Sequence, residues 1–231
     1  MDTGRLEACE ALVRWRHPAR GVLSPALFIA VAESTGAIHE LGEWILQTAC
    51  AEAATWPDSI CVAVNVSPHQ VSDRSIVRVV EAALRRSGLP ARRLHIEITE
   101  SALLGGDDGV AALAELSDLG VALVLDDFGT GFSSFDHIRR LPIRGLKIDR
   151  SFVAALPFDL KSGAIVKAVD LLAHSLDLWV IAEGVESEAQ LEFLRRTRCV
   201  MGQGYLFHRP LQGAALRRLI AASRPIARQV A

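Results

Sequence analysis

Two adjacent carboxylates, Asp126-Asp127, close an apolar run over residues 121–125. Like charges side by side repel, and both lose hydration where a strand leaves a packed core, so a counter-charge is required. A divalent cation with oxygen ligands would supply one. Gly129-Thr130-Gly131 follows, with the backbone freedom and close approach of a mobile loop over a ligand. Taken alone, the same residues also describe a turn with two solvated aspartates. Six more polar residues stand at or near the ends of apolar segments: Glu10, Asn65, Glu97, Lys147, Glu183 and Gln203. Five carboxylates accompanied by Asn65 form an oxygen-rich donor set of the kind Mg²⁺ and Mn²⁺ prefer. The set exceeds what one ion needs to be neutralised; a pair about 3.5–4 Å apart, bridged by an aspartate, would use it well. Such a pair activates water and clamps a phosphoryl group, and Lys147 and Arg14 suit contact with the phosphate or the water. These residue types therefore point to metal-dependent phosphoester hydrolysis. A strand-end lysine also serves as a Schiff-base nucleophile, or as the base beside one metal in an enolising enzyme, and both alternatives stay open here.

The elements that must bring these residues together alternate along the chain. Residues 6–15 read as a strand carrying Glu10, with Arg14 at i+4 on the same face. Ser24-Pro25 starts a helix to about Gly36, and a second helix covers 41–56. The strand 60–66 carries Asn65, and Ser67-Pro68 opens a helix to Arg86 that stops at Gly88. In the strand 94–99, His95, Glu97 and Thr99 share one face while Leu94, Ile96 and Ile98 take the other. A helix over 109–119 leads into the Asp126-Asp127 strand, and Ser134 caps a short helix to Arg140. The strand 145–149 places Lys147 and Asp149 on a common face, where a plain ion pair is the structural alternative. A helix over 162–176, a strand over 179–182 ending at Glu183, and a Ser187/Gln190 capping box for a helix to Arg196 follow. A short strand near 200–207 contains Gln203, and a helix over 213–222 closes the pattern. Seven strands separated by helices imply right-handed crossovers and a parallel sheet. Polar residues recur at the C-terminal end of strand after strand, as in a β/α barrel, and no GxGxxG follows the first strand as a doubly wound nucleotide fold would have.

At 231 residues, half of them hydrophobic and 23% charged, the chain suits one large α/β domain. A net charge of −2 argues against a general binder of nucleic acid or anionic membrane. Cys9, Cys50, Cys61 and Cys199 are scattered without metal spacing, and reduced, packed thiols suit a cytoplasmic protein. Charges interrupt every apolar run short of a membrane span, and residues 1–5 do not form a signal peptide. His95 reads as a residue packed inside the barrel, and Trp15, Trp44, Trp56 and Trp179 as core residues. The pairs Arg85-Arg86, Arg139-Arg140, Arg195-Arg196 and Arg217-Arg218 read as complements to helix dipoles.

Glu10-Ala11-Leu12-Val13-Arg14-Trp15 resembles the name-giving motif of EAL domains, cyclic-di-GMP phosphodiesterases. Asn65-Val66-Ser67, Glu97-Ile98-Thr99-Glu100, DDFGTGFSS (126–134), Lys147-Ile148-Asp149, Ala182-Glu183-Gly184-Val185-Glu186 and Gln203-Gly204-Tyr205 match its other signatures in order, from about residue 3 to about 220. The resemblance implies a TIM-like (β/α) barrel that cuts cyclic di-GMP to linear pGpG with two ions, Mg²⁺ or Mn²⁺. It implies that Glu10, Asn65, Glu97 and Asp126 hold the first ion. Asp126 and Asp127 help to hold the second, with Glu183 in or beside its shell. Lys147 assists the attacking water, and Arg14 contacts a substrate phosphate. Glu100 braces the loop 127–134, which in the family couples metal binding to dimerisation. By the same resemblance Glu186 and Gln203 would touch either the side chains that hold the ions or the substrate, and Asp149 would contact the substrate.

The family pattern also has a helix and a Tyr-Gln-Pro strand before the EAL strand, which this chain lacks. The expectation is therefore an EAL domain over 1–231, truncated at its N-terminus, with seven of eight strands. A homodimer, and an upstream sensor or GGDEF-type domain in a longer protein, go with it. The alternative is a sensor or interaction module that binds the nucleotide or a protein without cutting.

Overall fold

A computed structural model describes residues 4–104, 106–129, 141–197, 199 and 201–222. The expected loop beyond Gly129, the helix 134–140 and the pair Arg139-Arg140 lie outside these residues. The described strands are β1 (Ala8–Ala11), β2 (Trp15–His17), β3 (Gly21–Leu23), β4 (Cys61–Val66), β5 (Leu94–Thr99), β6 (Ala122–Phe128), β7 (Ile143–Ile148), β8 (Trp179–Ala182) and β9 (Met201–Gly202). Seven of them form one parallel sheet in the order β1-β4-β5-β6-β7-β8-β9, and β2 pairs antiparallel with β3. This is the seven-stranded α/β arrangement expected of a TIM-like barrel, a curled sheet with helices on its outer face.

Alternation along each strand divides the two faces. Val62, Val64 and Val66 of β4 and Leu94, Ile96 and Ile98 of β5 are buried in the main core. They meet Leu46, Cys50 and Ala53 of the helix Ile38–Ala53, Ile76 and Val80 of Ser75–Ser87, and Leu113 and Leu116 of Gly106–Asp118. Asn65 and Glu97 fall on the opposite, concave face. Deeper in that face His95 packs against Trp179, with ring centroids 5.3 Å apart. Burial pushes the His95 imidazole down to about 4, so it is neutral at physiological pH. A Cβ at Gly145 would lie 2.3 Å from the Trp179 ring, so only glycine lets that indole fill the floor of the barrel.

Several expected elements differ. The first strand ends at Ala11 and a separate hairpin begins at Trp15, so Arg14 does not share a strand face with Glu10. The single helix expected over 68–86 is two, Pro68–Ser72 and Ser75–Ser87. Arg74 between them takes a left-handed backbone (φ 57), and the Asp73 carboxylate accepts the Ser75 amide to start the second. The Ser24 side chain makes no cap hydrogen bond, and a 3₁₀ turn, Pro25–Leu27, precedes the helix Ile29–Thr35. The last strand shrinks to two residues. Trp56 packs inward as expected, but Trp15 (47% exposed) and Trp44 (57%) line an open groove with Leu27 and Val31. Arg217 lies mid-helix and grips Glu52 with Nη1 at 2.6 Å from both oxygens, so the helix dipole does not explain it. Among the described residues no helix is long and apolar enough to cross a membrane. The four thiols are free, and burial pushes those of Cys9 and Cys50 up to about 11 and that of Cys199 up to about 12.

Candidate metal centre

The centre depends on an irregularity in β6. Adjacent residues of a regular strand point to opposite faces, so Asp126 and Asp127 should diverge. Between the pairs Leu125↔Leu146 and Phe128↔Ile148, β6 carries one residue more than β7. That extra residue is a β-bulge, with Asp127 at φ 54. Leu125 and Phe128 consequently both reach the hydrophobic core although they are three apart. Both carboxylates are left at the mouth of the sheet, Asp126 buried and Asp127 exposed. Oxygen atoms of Asp126, Asp127 and Glu183 all lie within 4.8 Å of one another, a donor set that fits a hard divalent cation.

Lys147 stands at the centre of the wider cluster. Its side chain is 1% exposed, and Nζ lies 2.7 Å from Glu183, 2.9 Å from Glu97, 3.1 Å from Asp126 and 3.9 Å from Glu10. Burial alone would lower its pKa, but Glu97, Glu10, Glu183 and Asp126 outweigh it and hold the ammonium above its ordinary value. One ammonium cannot offset four carboxylates in so dry a place. Burial, with Glu10 and Asp126 nearby, pushes the Glu97 carboxyl up to about 8 against the pull of Lys147. Burial likewise pushes Glu183 up to about 7. Burial and the charges of Asp126 and Asp149 raise Asp127 as well.

Glu10 joins this cluster from β1. Asn65 Nδ2 donates to one of its oxygens and Gln203 Nε2 to the other, each at 2.6 Å. Glu100 Oε1 accepts the Gly129 amide at 3.0 Å, placing it behind the start of the loop it was expected to brace; its buried Oε2 has no partner among the described residues. The structure thus gathers Glu10, Asn65, Glu97, Asp126, Asp127, Lys147, Glu183 and Gln203 at one mouth, with Glu100 beside it.

Three expected site residues stand differently. Arg14 is exposed and donates to the adjoining Val13 carbonyl at 2.8 Å. Glu186 is exposed, and its backbone amide is taken by Gln190. Asp149 accepts the Ser151 amide at 2.9 Å and caps a helix that sequence reading missed, Arg150–Ala154. The Lys147–Asp149 ion pair is absent among the described contacts, because Lys147 turns inward to the carboxylates. Sequence reading also missed the β6 bulge, although two consecutive polar residues ending an apolar strand were its signal. The two-sided hold on Glu10 had no signal, since its members are 55 and 193 positions away.

The chain matches the EAL domain family over residues 1–210 and belongs to that family. It is 43% identical to the cyclic di-GMP phosphodiesterase NbdA of Pseudomonas aeruginosa, over 96% of this chain and 29% of that protein. It is 42% identical to the bifunctional diguanylate cyclase/cyclic di-GMP phosphodiesterase MucR of the same organism, over 92% of this chain and 32% of MucR. Its fold is similar to the solved PaMucR phosphodiesterase in complex with c-di-GMP, with a TM-score of 0.88 and 41% identity over 92% of this chain and 88% of that one. The chain spans about a third or less of the length of these curated relatives.

Proposed function

We propose that this chain hydrolyses one phosphodiester bond of cyclic di-GMP to linear pGpG, using two Mg²⁺ or Mn²⁺ ions. The observation that carries the reading is the single buried cluster in which Glu97, Asp126 and Glu183 surround Lys147 Nζ within 3.1 Å, with Asp127 at its rim. Glu10, Asn65, Glu97 and Asp126 would hold one ion, and Asp126, Asp127 and Glu183 the other. Bound there, the ions supply Lewis-acid chemistry that favours a hydroxide nucleophile near neutral pH and offsets phosphoryl charge. Lys147 keeps its proton on Nζ, so it serves as a hydrogen-bond donor that orients water or a phosphoryl oxygen. A Schiff-base lysine must instead be a neutral amine, and four surrounding carboxylates oppose that state. Arg14, beyond β1, supplies a planar cation for a substrate phosphate, while Glu186 and Asp149 flank the mouth. Glu100 steadies the backbone at Gly129.

The two relatives named for this phosphodiesterase activity support the reading, as does the c-di-GMP complex of the similar PaMucR structure. A cytoplasmic setting, pairing with a second copy, and attachment to an upstream sensor or GGDEF-type domain belong to the same proposal. MucR, which combines cyclase and phosphodiesterase in one chain, supports the last. The test is incubation with cyclic di-GMP and Mn²⁺ or Mg²⁺, followed by chromatography for pGpG, with Asp126→Ala in parallel. Product from the wild type alone is expected, because both ions would lose a shared ligand in the variant. Nucleotide binding without product would favour the sensor reading.

A further inference from the structure

The short helix Arg150–Ala154 touches both segments that bring Asp127 and Glu183 to the mouth. One contact is at Gly129, two residues past Asp127. A Cβ there would lie 3.1 Å from the Phe152 ring, closer than such contacts normally come. The other is at Gly184, next to Glu183. A Cβ there would lie 2.8 Å from Arg150 Cβ, so this segment too rests on the helix. The helix is itself held. Val153 is buried in the core, the Asp149 carboxylate accepts the Ser151 amide at the start, and Gln190 Nε2 donates to the Ala154 carbonyl at the end. It therefore acts as a spacer between two of the three carboxylates whose oxygens lie within 4.8 Å of one another. The contact at Gly129 bears most on the site. Asp127 has a left-handed backbone, which an L side chain does not favour, so its neighbours must hold it there. Phe128 is buried and pairs with Ile148 of β7. Gly129 follows, its amide donating to Glu100 at 3.0 Å and its lack of a Cβ leaving room for the Phe152 ring. The hydrogen bond aims the amide; the ring is the surface against which the chain stops.

We propose that Phe152 is a positioning residue: through Gly129 it fixes the end of β6, and so sets the Asp127 carboxylate opposite Glu183 for a divalent cation. The proposal rests on the metal-dependent reading above. Mn²⁺ binding by calorimetry tests it, with the wild type, Phe152→Ala and Phe152→Leu; the leucine keeps apolar bulk in the core but withdraws the ring edge from Gly129. Both variants should bind Mn²⁺ more weakly, by about 10-fold or more, the usual effect of losing a group that orients a ligand. The KM for cyclic di-GMP at saturating Mn²⁺ should stay unchanged. Val80→Ala separates positioning from plain stability, because Val80 is fully buried in the helix Ser75–Ser87 on the other side of the core. It should lower the melting temperature and leave Mn²⁺ affinity as it is. A Val80→Ala loss of affinity equal to that of the Phe152 variants would overturn the proposal, as would unchanged affinity in both of those variants. A raised KM with unchanged Mn²⁺ affinity would also overturn it. A wild type that fails to bind Mn²⁺ would overturn the metal reading and the proposal with it, whereas a wild type that binds no better than Phe152→Leu would overturn only the role of Phe152. Hydrogen exchange on the metal-free chain reads the contact directly: the Gly129 amide should exchange faster in Phe152→Leu than in the wild type, and an unchanged rate would refute the link.

Discussion

Lys147 is the residue on which this centre balances. Among the described residues its ammonium is the single positive group within contact of Glu97, Asp126 and Glu183, and it is almost wholly buried. Lys147→Met should leave those carboxylates uncompensated and destabilise the metal-free chain by about 3–5 kcal/mol, measured by urea unfolding at pH 7.5. Glu97 adds a pH dependence to the stability of the metal-free chain. Its folded pKa lies at up to about 8, above the usual carboxylate range, so the folded chain holds a proton that the unfolded chain has released. Stability from this group is present at low pH and is lost as pH rises toward about 8. His95, pushed down to about 4, works in the opposite sense but only below its ordinary value. The melting temperature without metal should therefore fall between pH 6.5 and 8, and Glu97→Gln should flatten that slope. A wild-type profile that rises across this window would contradict the assignment.

At the scale of elements, two local departures from regular structure matter most. The bulge in β6 turns Asp126 and Asp127 to the same mouth, and Asp127 occupies a left-handed conformation that aspartate and asparagine tolerate better than branched residues do. Asp127→Asn should keep the fold, whereas Asp127→Val should destabilise by about 1–2 kcal/mol, the cost of a left-handed backbone for an L side chain. Comparing the two by chemical denaturation separates the backbone effect from the loss of charge. Gly145 is the second departure. Gly145→Ala would drive a methyl group into the Trp179 ring and should cost about 1–3 kcal/mol as overpacking, with a shift in tryptophan fluorescence that reports the displaced indole.

For the whole molecule, the sheet curls far enough that residues near both ends of the chain share one site. A ligand held by residues between Glu10 and Gln203 couples the entire sheet, not one loop. Mn²⁺ at one hundred times its dissociation constant should stabilise the fold by about 2.7 kcal/mol, read as a rise in melting temperature. Asp126→Ala should lose that rise. The opposite end of the barrel is held by Arg93, a buried guanidinium that donates to the carbonyls of Ala53, Trp56 and Ile60. Arg93→Met would leave those acceptors unsatisfied and should destabilise the fold by several kcal/mol, about 1–3 for each acceptor that finds no new donor.

The sequence by itself determined the residue types of the site and the order of strands and helices. Period-two alternation in 94–99 and capping signals such as Ser187/Gln190 are local, and local sterics decide them; the observed β5 and the helix Glu188–Arg195 agree. The seven strands and the set Glu10, Asn65, Glu97, Asp126, Asp127, Lys147 and Glu183 were legible for the same reason: each stands at the end of a readable apolar run. Only the tertiary structure decided how they meet. The β6 bulge depends on register against β7, the early stop of β1 on where the hairpin turns away, and the partners of Lys147 on three strands and the loop after β8 converging. Asp149 shows the limit most clearly. Spacing placed it beside Lys147, but an adjacent helix N-terminus and the pull of buried carboxylates on the lysine separated them. Those are energies between distant segments, and no window of neighbouring residues contains them.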